Sequence, residues 1–278
     1  MSVMTKIGVV QFNSSIVPED NLSALFSYAQ EGVNQGADLI VTPECTNILD
    51  MNRQRILSNT TYEEQDFFLK ACQEFCNTNS VSLLLGSLIV KVQEDRLANR
   101  SILINKQGQI VGRYDKIHLF DVDLPDGESY RESALYEAGN RVVSARLDGL
   151  HLGMTICYDL RFPYLYRALA DEGVAVIFVP AAFTVPTGKA HWHSLLRARA
   201  IENGCYIIAP AQSGMHQTGR ATYGHSLVVD PWGEVLLDAG GTIDEEATGV
   251  YMVDVDSYLV DKIRSKIPSL QHTRSLEI

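Results

Sequence analysis

The sequence predicts an α/β fold in which sheets are layered between helices and assembled from two related β-α-β halves. Two observations carry this. Apolar runs of strand length alternate with amphipathic helical stretches, and the strands outnumber the helices. The chain also echoes itself. "KIGVVQFN" from Lys6 resembles "HLGMTICY" from His151, each followed by a helix, and the next strands read "GADLIVTPE" from Gly36 and "GVAVIFVPA" from Gly173. Gly36, Ile40 and Pro43 thus correspond to Gly173, Ile177 and Pro180, while Glu44 corresponds to Ala181 and Phe12 to Cys157. Equivalent strand ends would then face one another, each half lending a different group to a shared cleft.

The elements follow in order. "KIGVVQF" is the first strand, and Leu22, Leu25, Phe26, Ala29 and Val33 recur at helical spacing behind it. After "ADLIVTP", the residues Phe68, Ala71, Cys72, Phe75 and Cys76 form a helical stripe in which the two cysteines read as small core residues. "SLLLGSLIV", "RSILIN", "QIVGRY", "LHLGMTIC" and "VAVIFVP" are strands. Trp192, Leu195, Leu196 and Ala200 mark a helix, and "CYIIAP", "HSLVVD" and "TGVYMVDV" complete the strands. "PWGEV" is a turn between two of them, as Pro and Gly dictate.

Composition bounds the function. At 278 residues, with 46% hydrophobic and 21% charged side chains and no low-complexity linker, the chain reads as one domain over 1–278. Thirty-four acidic against 23 basic residues give a charge of -11, which would repel a phosphate backbone, so nucleic acid is not an expected partner. The start lacks signal-peptide organisation and no apolar run is long enough to span a bilayer, giving the expectation of a cytoplasmic protein without membrane contact. Five cysteines without paired spacing argue against a disulfide framework.

Chemistry concentrates at strand ends, where ligands of α/β sheets usually bind. Glu44 ends "LIVTPE" and Cys157 ends "LGMTIC", while Lys116 follows "QIVGRY". A thiol attacks a carbonyl only as thiolate, and a helix start with nearby Lys and Arg lowers its pKa. A carboxylate raised toward the working pH by burial can take that proton and pass it to a leaving amine. The Lys116 ammonium and the Tyr158 amide would hold the oxyanion. Asp159 and Arg161 would brace the turn or line the pocket. His191 and His193 are two apart, on different sides of a helix, and with no acidic third ligand no metal is expected there. "GHSLV" lacks the closing glycine of a serine elbow, and Ser226 reads as the start of a strand.

"PECT", "RYDKIHLFD" and "TICYDLRFP" resemble, in the right order, the Glu-Lys-Cys motifs of the carbon-nitrogen hydrolase, or nitrilase, superfamily, and the likeness runs from about Lys6 to Arg264. The resemblance implies a four-layer α-β-β-α sandwich that dimerises, with no metal or organic cofactor. It also implies a second glutamate that orients the lysine; "GESYRES" offers Glu128 and Glu132, and the family's Tyr-x-Glu-Ser pattern favours Glu132. Tyr164 departs from a common "RFPE", and Ala138-Gly139 from a common Pro-Gly.

"FTVPTGKAHWHSLLRARAIENGCYIIAPAQSG" and "YGHSLVVDPWGEV" resemble the deaminated-glutathione amidase branch, with ω-amidases acting on 2-oxoglutaramate or 2-oxosuccinamate as the alternative. An acyltransferase and a catalytically silent binding protein are the readings of other classes. The expected substrate is a small carboxylate-bearing amide. Tyr158, Arg161, His118, Phe183, Thr184, Arg220 and Tyr223 are the expected substrate contacts, and Arg113, Lys189, Arg197 and Arg199 are further cations expected near the pocket. The tail over about 256–278 is expected either to pack on its own domain or to reach across a homodimer interface.

Overall fold

The computed structural model describes residues 3–124, 127–241 and 247–275. In chain order the described strands are β1 (Met4–Gln11), β2 (Leu39–Val41), β3 (Ser82–Gln93), β4 (Arg96–Ile104), β5 (Ile110–Asp115), β6 (Asp121–Asp123), β7 (Ser129–Arg131), β8 (Val143–Leu147), β9 (Leu150–Met154), β10 (Val176–Phe178), β11 (Tyr206–Ala209), β12 (Ser213–Met215), β13 (Ala221–Tyr223), β14 (Leu227–Val229), β15 (Val235–Asp238) and β16 (Gly249–Asp256). The helices are α1 (Pro18–Asn34), α2 (Arg53–Ser58), α3 (Phe67–Asn79), α4 (Pro163–Asp171), α5 (Val185–Asn203) and α6 (Ser257–Lys266).

The internal echo is a repeat in three dimensions. One six-stranded sheet has the order β16-β1-β2-β3-β4-β5 and the other β8-β9-β10-β11-β14-β15. Each places three parallel strands in the middle and antiparallel partners outside them. Even the register repeats: Ile7 pairs with Leu39 and Gly8 with Ile40, as the equivalent Leu152 pairs with Val176 and Gly153 with Ile177. Gly36 and Gly173, which close the two helix-to-strand turns, both have φ 83°.

Helices cover the outer faces. Leu25 and Ala29 of α1 and Phe68, Cys72 and Cys76 of α3 pack with Val10, Ile40 and Leu83 of the first sheet. Leu165 and Leu169 of α4 and Trp192 and Leu196 of α5 cover the second, and the same apolar cluster continues through Met154 and Leu152 to Ile7, Val9 and Leu39. Each such fully buried aliphatic side chain contributes roughly 1.5–3 kcal/mol. This is the expected α-β-β-α layering. Where the halves meet, a Cβ on Gly86 would lie 1.8 Å from the Thr42 carbonyl and 2.4 Å from Pro180 Cβ, so only glycine permits the close approach.

Three features went beyond the sequence reading. The short β6–β7 and β12–β13 hairpins and half-buried β8 carry no apolar run of strand length, so pattern alone does not reveal them. β16 pairs with β1 along its whole length, and among the described residues of the tail behind it α6 packs on its own chain, Arg264 donating to the Val174 and Asn203 carbonyls. Residues 276–278 of the tail lie outside the described residues. No described helix is long and apolar enough to cross a membrane.

His216 makes stability depend on pH. Its Nδ1 lies 3.0 Å from the Ser14 carbonyl and its Nε2 2.7 Å from Thr222 Oγ1, and the side chain is buried. Burial pushes its pKa from 6.5 down to about 4. The unfolded chain therefore binds more protons between those values, so the stability this neutral ring contributes is present above pH 6.5 and is lost as pH falls toward 4. Urea denaturation should show the gap between the wild type and His216→Gln shrinking by on the order of 3 kcal/mol from pH 7 to pH 4. A pH-independent gap would contradict this.

Candidate active site

Strand ends of both halves converge on one cleft. Glu44 follows β2 by way of Pro43, Lys116 directly follows β5, and Cys157 opens a 3-10 turn, Cys157–Arg161, behind β9. Cys45 and Cys157 both adopt left-handed φ values, 59° and 49°, conformations that cost a non-glycine residue about 1–2 kcal/mol. The Cys157 amide is held by the Pro180 carbonyl at 2.9 Å, which ties the turn to the end of β10. Lys116 is fixed at its backbone too: its amide donates to Asn99 and its carbonyl accepts from Gly139, where a Cβ would meet the Asp115 carbonyl at 2.2 Å.

The side chains meet. Lys116 Nζ donates to Glu44 Oε1 at 2.9 Å and to Glu132 Oε2 at 2.9 Å. Asn99 Nδ2 also donates to Glu44 Oε1, at 2.8 Å, and the Ala182 amide donates to Glu44 Oε2 at 2.9 Å. Phe120 N–H holds Glu132 at 2.6 Å. Cys157 lines the same cavity as Glu44, and the Glu44 carboxylate and the Ala182 amide both act on the ionisation of its thiol. Glu44 and Ala182 thus meet where the internal repeat aligns Glu44 with Ala181.

The electrostatics corrects one expectation. Burial raises the Glu44 pKa, but Lys116, the thiol and Arg220 outweigh it, so the carboxyl lies below its ordinary value. Burial, reinforced by the Glu44 charge, drives the Cys157 thiol well above its ordinary value despite Lys116. Burial lowers Lys116, but Glu132 and Glu44 dominate and keep it charged. The resting site is therefore a neutral thiol beside a carboxylate, not a preformed thiolate beside a carboxyl tuned upward. Such a carboxylate can take the thiol proton as a carbonyl approaches.

A cavity of about 300 Å³ opens in front of these groups. Tyr158, Arg161, Phe183, Thr184 and Arg220 line it, as expected. The Arg161 guanidinium lies 5.8 Å from the Tyr158 ring centroid and 5.7 Å from that of Phe183. Arg220 Nη2 donates to the Ala182 carbonyl and its guanidinium lies 5.5 Å from the Tyr130 centroid, while its buried Nε has no hydrogen-bond partner among the described residues.

Other expected contacts lie elsewhere. His118 is behind the turn, its backbone and ring both bonded to Asp159 and its ring stacked on Phe162 at 3.6 Å. Asp159 is indeed a brace, accepting also from Ile156 N–H and Tyr114 Oη, and Tyr164 joins by bonding His118 Nε2. Tyr223 packs on Gly188 and stacks on His225 outside the cleft, because β13 turns its side chain toward α5. Glu128 bonds Tyr130 Oη on the β6–β7 hairpin, leaving Glu132 as the lysine's second carboxylate. Arg113 pairs with Glu63, Arg197 with the Gly233 carbonyl and Arg199 with Glu202 and the Leu160 carbonyl, and Lys189 does not reach the cavity.

Sequence reasoning missed Asn99, Cys45, Arg53 and Arg131 in the cavity wall. Asn99 left one signal, a polar residue in the buried strand "RLANRSILI". The arginines left none, since α2 and β7 are too short to announce which way they face.

The chain belongs to the carbon-nitrogen hydrolase family, whose model matches residues 6–265. It is similar to a deaminated glutathione amidase of Synechocystis, 40% identical over 91% of this chain and 92% of that protein, and to one of Dictyostelium discoideum, 35% identical over 99% and 95%. Among solved structures, the NitFhit protein of Caenorhabditis elegans matches at TM-score 0.89 and 31% identity, covering 98% of this chain and 65% of that one. Saccharomyces cerevisiae Nit3, a member of branch 10 of the nitrilase superfamily, matches at 0.83 and 25% identity over 95% and 94%. The chain is a hydrolytic amidase with the nitrilase-type fold.

Proposed function

We propose that the chain is a cysteine-dependent amidase that hydrolyses deaminated glutathione to 2-oxoglutarate and Cys-Gly through a thioester. The observation that carries this is the convergence of Cys157, Glu44 and Lys116 on one cavity wall, with Lys116 Nζ 2.9 Å from Glu44 Oε1. As Sγ attacks the amide carbon, Glu44 takes the thiol proton and the oxyanion forms against Lys116 Nζ and the Tyr158 amide. That amide sits at the start of its turn, where it has no intrahelical acceptor. Glu132 and Asn99 hold Lys116 and Glu44 in register. Collapse breaks the C–N bond, and Glu44 returns the proton to the departing amine. Water, deprotonated by Glu44, then attacks the thioester, releasing the acid and restoring the thiol.

Substrate charge follows from the wall. Arg53, Arg131, Arg161 and Arg220 surround the cavity. Arg131 is paired with Asp123, whereas Arg220 keeps a buried Nε without a hydrogen-bond partner among the described residues, which suits a substrate carboxylate. Deaminated glutathione has carboxylates at both ends, and relatives at 35–40% identity carry that activity in their names. Its kcat/KM should exceed that for 2-oxoglutaramate at least ~10-fold, a margin of only ~1.4 kcal/mol. Arg220→Ala should erode the preference, mainly through the longer substrate. Equal or reversed preference in side-by-side assays would favour the ω-amidase reading.

We further propose a homodimer. Trp232, Ile201 and Ile267 are each 53% exposed around a groove beside α6, an apolar face that a second copy would bury. Light scattering should give twice the chain mass at micromolar concentration; a monomer would contradict it.

A further inference from the structure

Outside the cleft, two imidazoles and a carboxylate converge from three elements. His193 lies in α5, His225 in the link between β13 and β14, and Asp238 ends β15. His193 Nε2 is 3.0 Å from Asp238 Oδ2 and His225 Nδ1 is 2.8 Å from Asp238 Oδ1, and the ligand atoms of all three lie within 4.8 Å of one another. We propose that His193, His225 and Asp238 form a binding site for a divalent transition-metal ion of the Zn²⁺ or Ni²⁺ type.

The donor set fits that class. Two imidazole nitrogens and one carboxylate oxygen suit borderline ions rather than Mg²⁺ or Ca²⁺, which take oxygen ligands. In a tetrahedral zinc site with bonds of about 2.0 Å, neighbouring ligand atoms stand roughly 3.3 Å apart. The two imidazole–carboxylate separations, 3.0 and 2.8 Å, lie near that value, and an ion entering would draw all three ligand atoms, now within 4.8 Å of one another, around itself. As it enters, the proton on His193 Nε2 moves to Nδ1 and that on His225 Nδ1 moves to Nε2, so both rings coordinate while neutral. Side-chain exposures of 36% for His193, 21% for His225 and 35% for Asp238 leave a path for the ion and room for water as a further ligand.

The surroundings hold the ligands in place. Asp238 Oδ1 also accepts from the Gly240 amide at 2.9 Å, and the His225 carbonyl accepts from Trp192 Nε1 at 2.8 Å. The Tyr223 ring stacks on His225 at 4.4 Å, and the His225 amide donates to Gly240 at 2.7 Å, which together keep His225 at its left-handed φ of 53°. Such supporting contacts are what orient ligands in metal sites. Hydrogen bonding alone gives this half-exposed triad only about 0–1 kcal/mol per pair. A bound ion would instead tie α5, whose start forms part of the cleft wall, to β14 and β15. His191, by contrast, faces Arg161 and takes no part.

Calorimetric titration of the chelator-treated full chain with Ni²⁺ should give one ion per chain and a raised melting temperature. His193→Gln, His225→Asn and Asp238→Asn should each weaken binding at least tenfold while leaving the metal-free melting temperature unchanged, and Cys157→Ser should bind as the wild type does. His225→Asn is chosen because Asn tolerates the left-handed conformation. Should a variant fold poorly, the visible spectrum of the wild-type Co²⁺ complex decides the matter: ligand-field bands without thiolate charge transfer are expected. No saturable uptake, uptake undiminished by Asp238→Asn, or a thiolate spectrum lost in Cys157→Ser would overturn the proposal.

Discussion

Replacing Cys157 with alanine is expected to reduce amide turnover by on the order of 10⁴-fold or more, because the proposed route has no other bond-forming atom at this position. The thiol lies against Glu44 at the end of β9, and its left-handed backbone is held by the Pro180 carbonyl rather than by the side chain. Alanine loses only the sulfur, so the fold should persist. The check is kcat at saturating amide beside a calorimetric substrate titration, which should still register binding. Activity within tenfold of the wild type would remove Cys157 from the chemistry.

Lys116→Met is expected to cost at least ~10²-fold, the usual effect of losing an oxyanion donor. It should cost more than that donor alone. Glu44 and Glu132 both bind the same Nζ, and removing it leaves the buried Glu44 carboxylate facing the part-buried one of Glu132 without a counter-charge, so the variant should also be destabilised. The Lys116 charge is the foremost influence holding the Glu44 pKa down against burial. Without it the carboxyl rises, so the acid limb of kcat/KM against pH should move to higher pH. A loss below tenfold, or an unmoved acid limb, would place Lys116 outside the reacting group.

Much of this was legible because strand ends carry their chemistry in short runs. "TPE" and "TIC" mark Glu44 and Cys157 at the ends of apolar strands, and the alignment of Gly36 with Gly173 anticipated a repeat that the sheet registers reproduce residue for residue. What the sequence hid depends on where side chains turn after the strand ends. His118 and Tyr223 sit near site residues in sequence, yet bonding to Asp159 holds His118 behind the 3-10 turn and the β12–β13 hairpin points Tyr223 at His225, so neither lines the cavity. Arg53 and Arg131 arrive from segments too short to show a periodicity. His193 lacked an acidic partner in sequence because Asp238 reaches it only through the β14–β15 hairpin. The direction of the Glu44 and Cys157 shifts was also hidden, since it depends on whether Lys116 or burial wins at each atom.

The central claim is that Cys157 carries the acyl group and Glu44 activates the water that releases it. Intact-protein mass spectrometry of Glu44→Gln mixed with a γ-aryl ester of 2-oxoglutarate, whose leaving group needs no proton, tests it directly. Glutamine keeps the shape and the hydrogen bonding toward Asn99 and Lys116 in part, but it can neither protonate a departing amine nor deprotonate water, so the amide should hardly react while the acyl group delivered by the ester to a thiol ionised through solvent should accumulate. The account predicts a mass increase equal to the 2-oxoglutaryl group, discharged by hydroxylamine and mapped by peptide analysis to Cys157. An adduct on Cys45, or undiminished turnover by Glu44→Gln with no adduct at all, would contradict it.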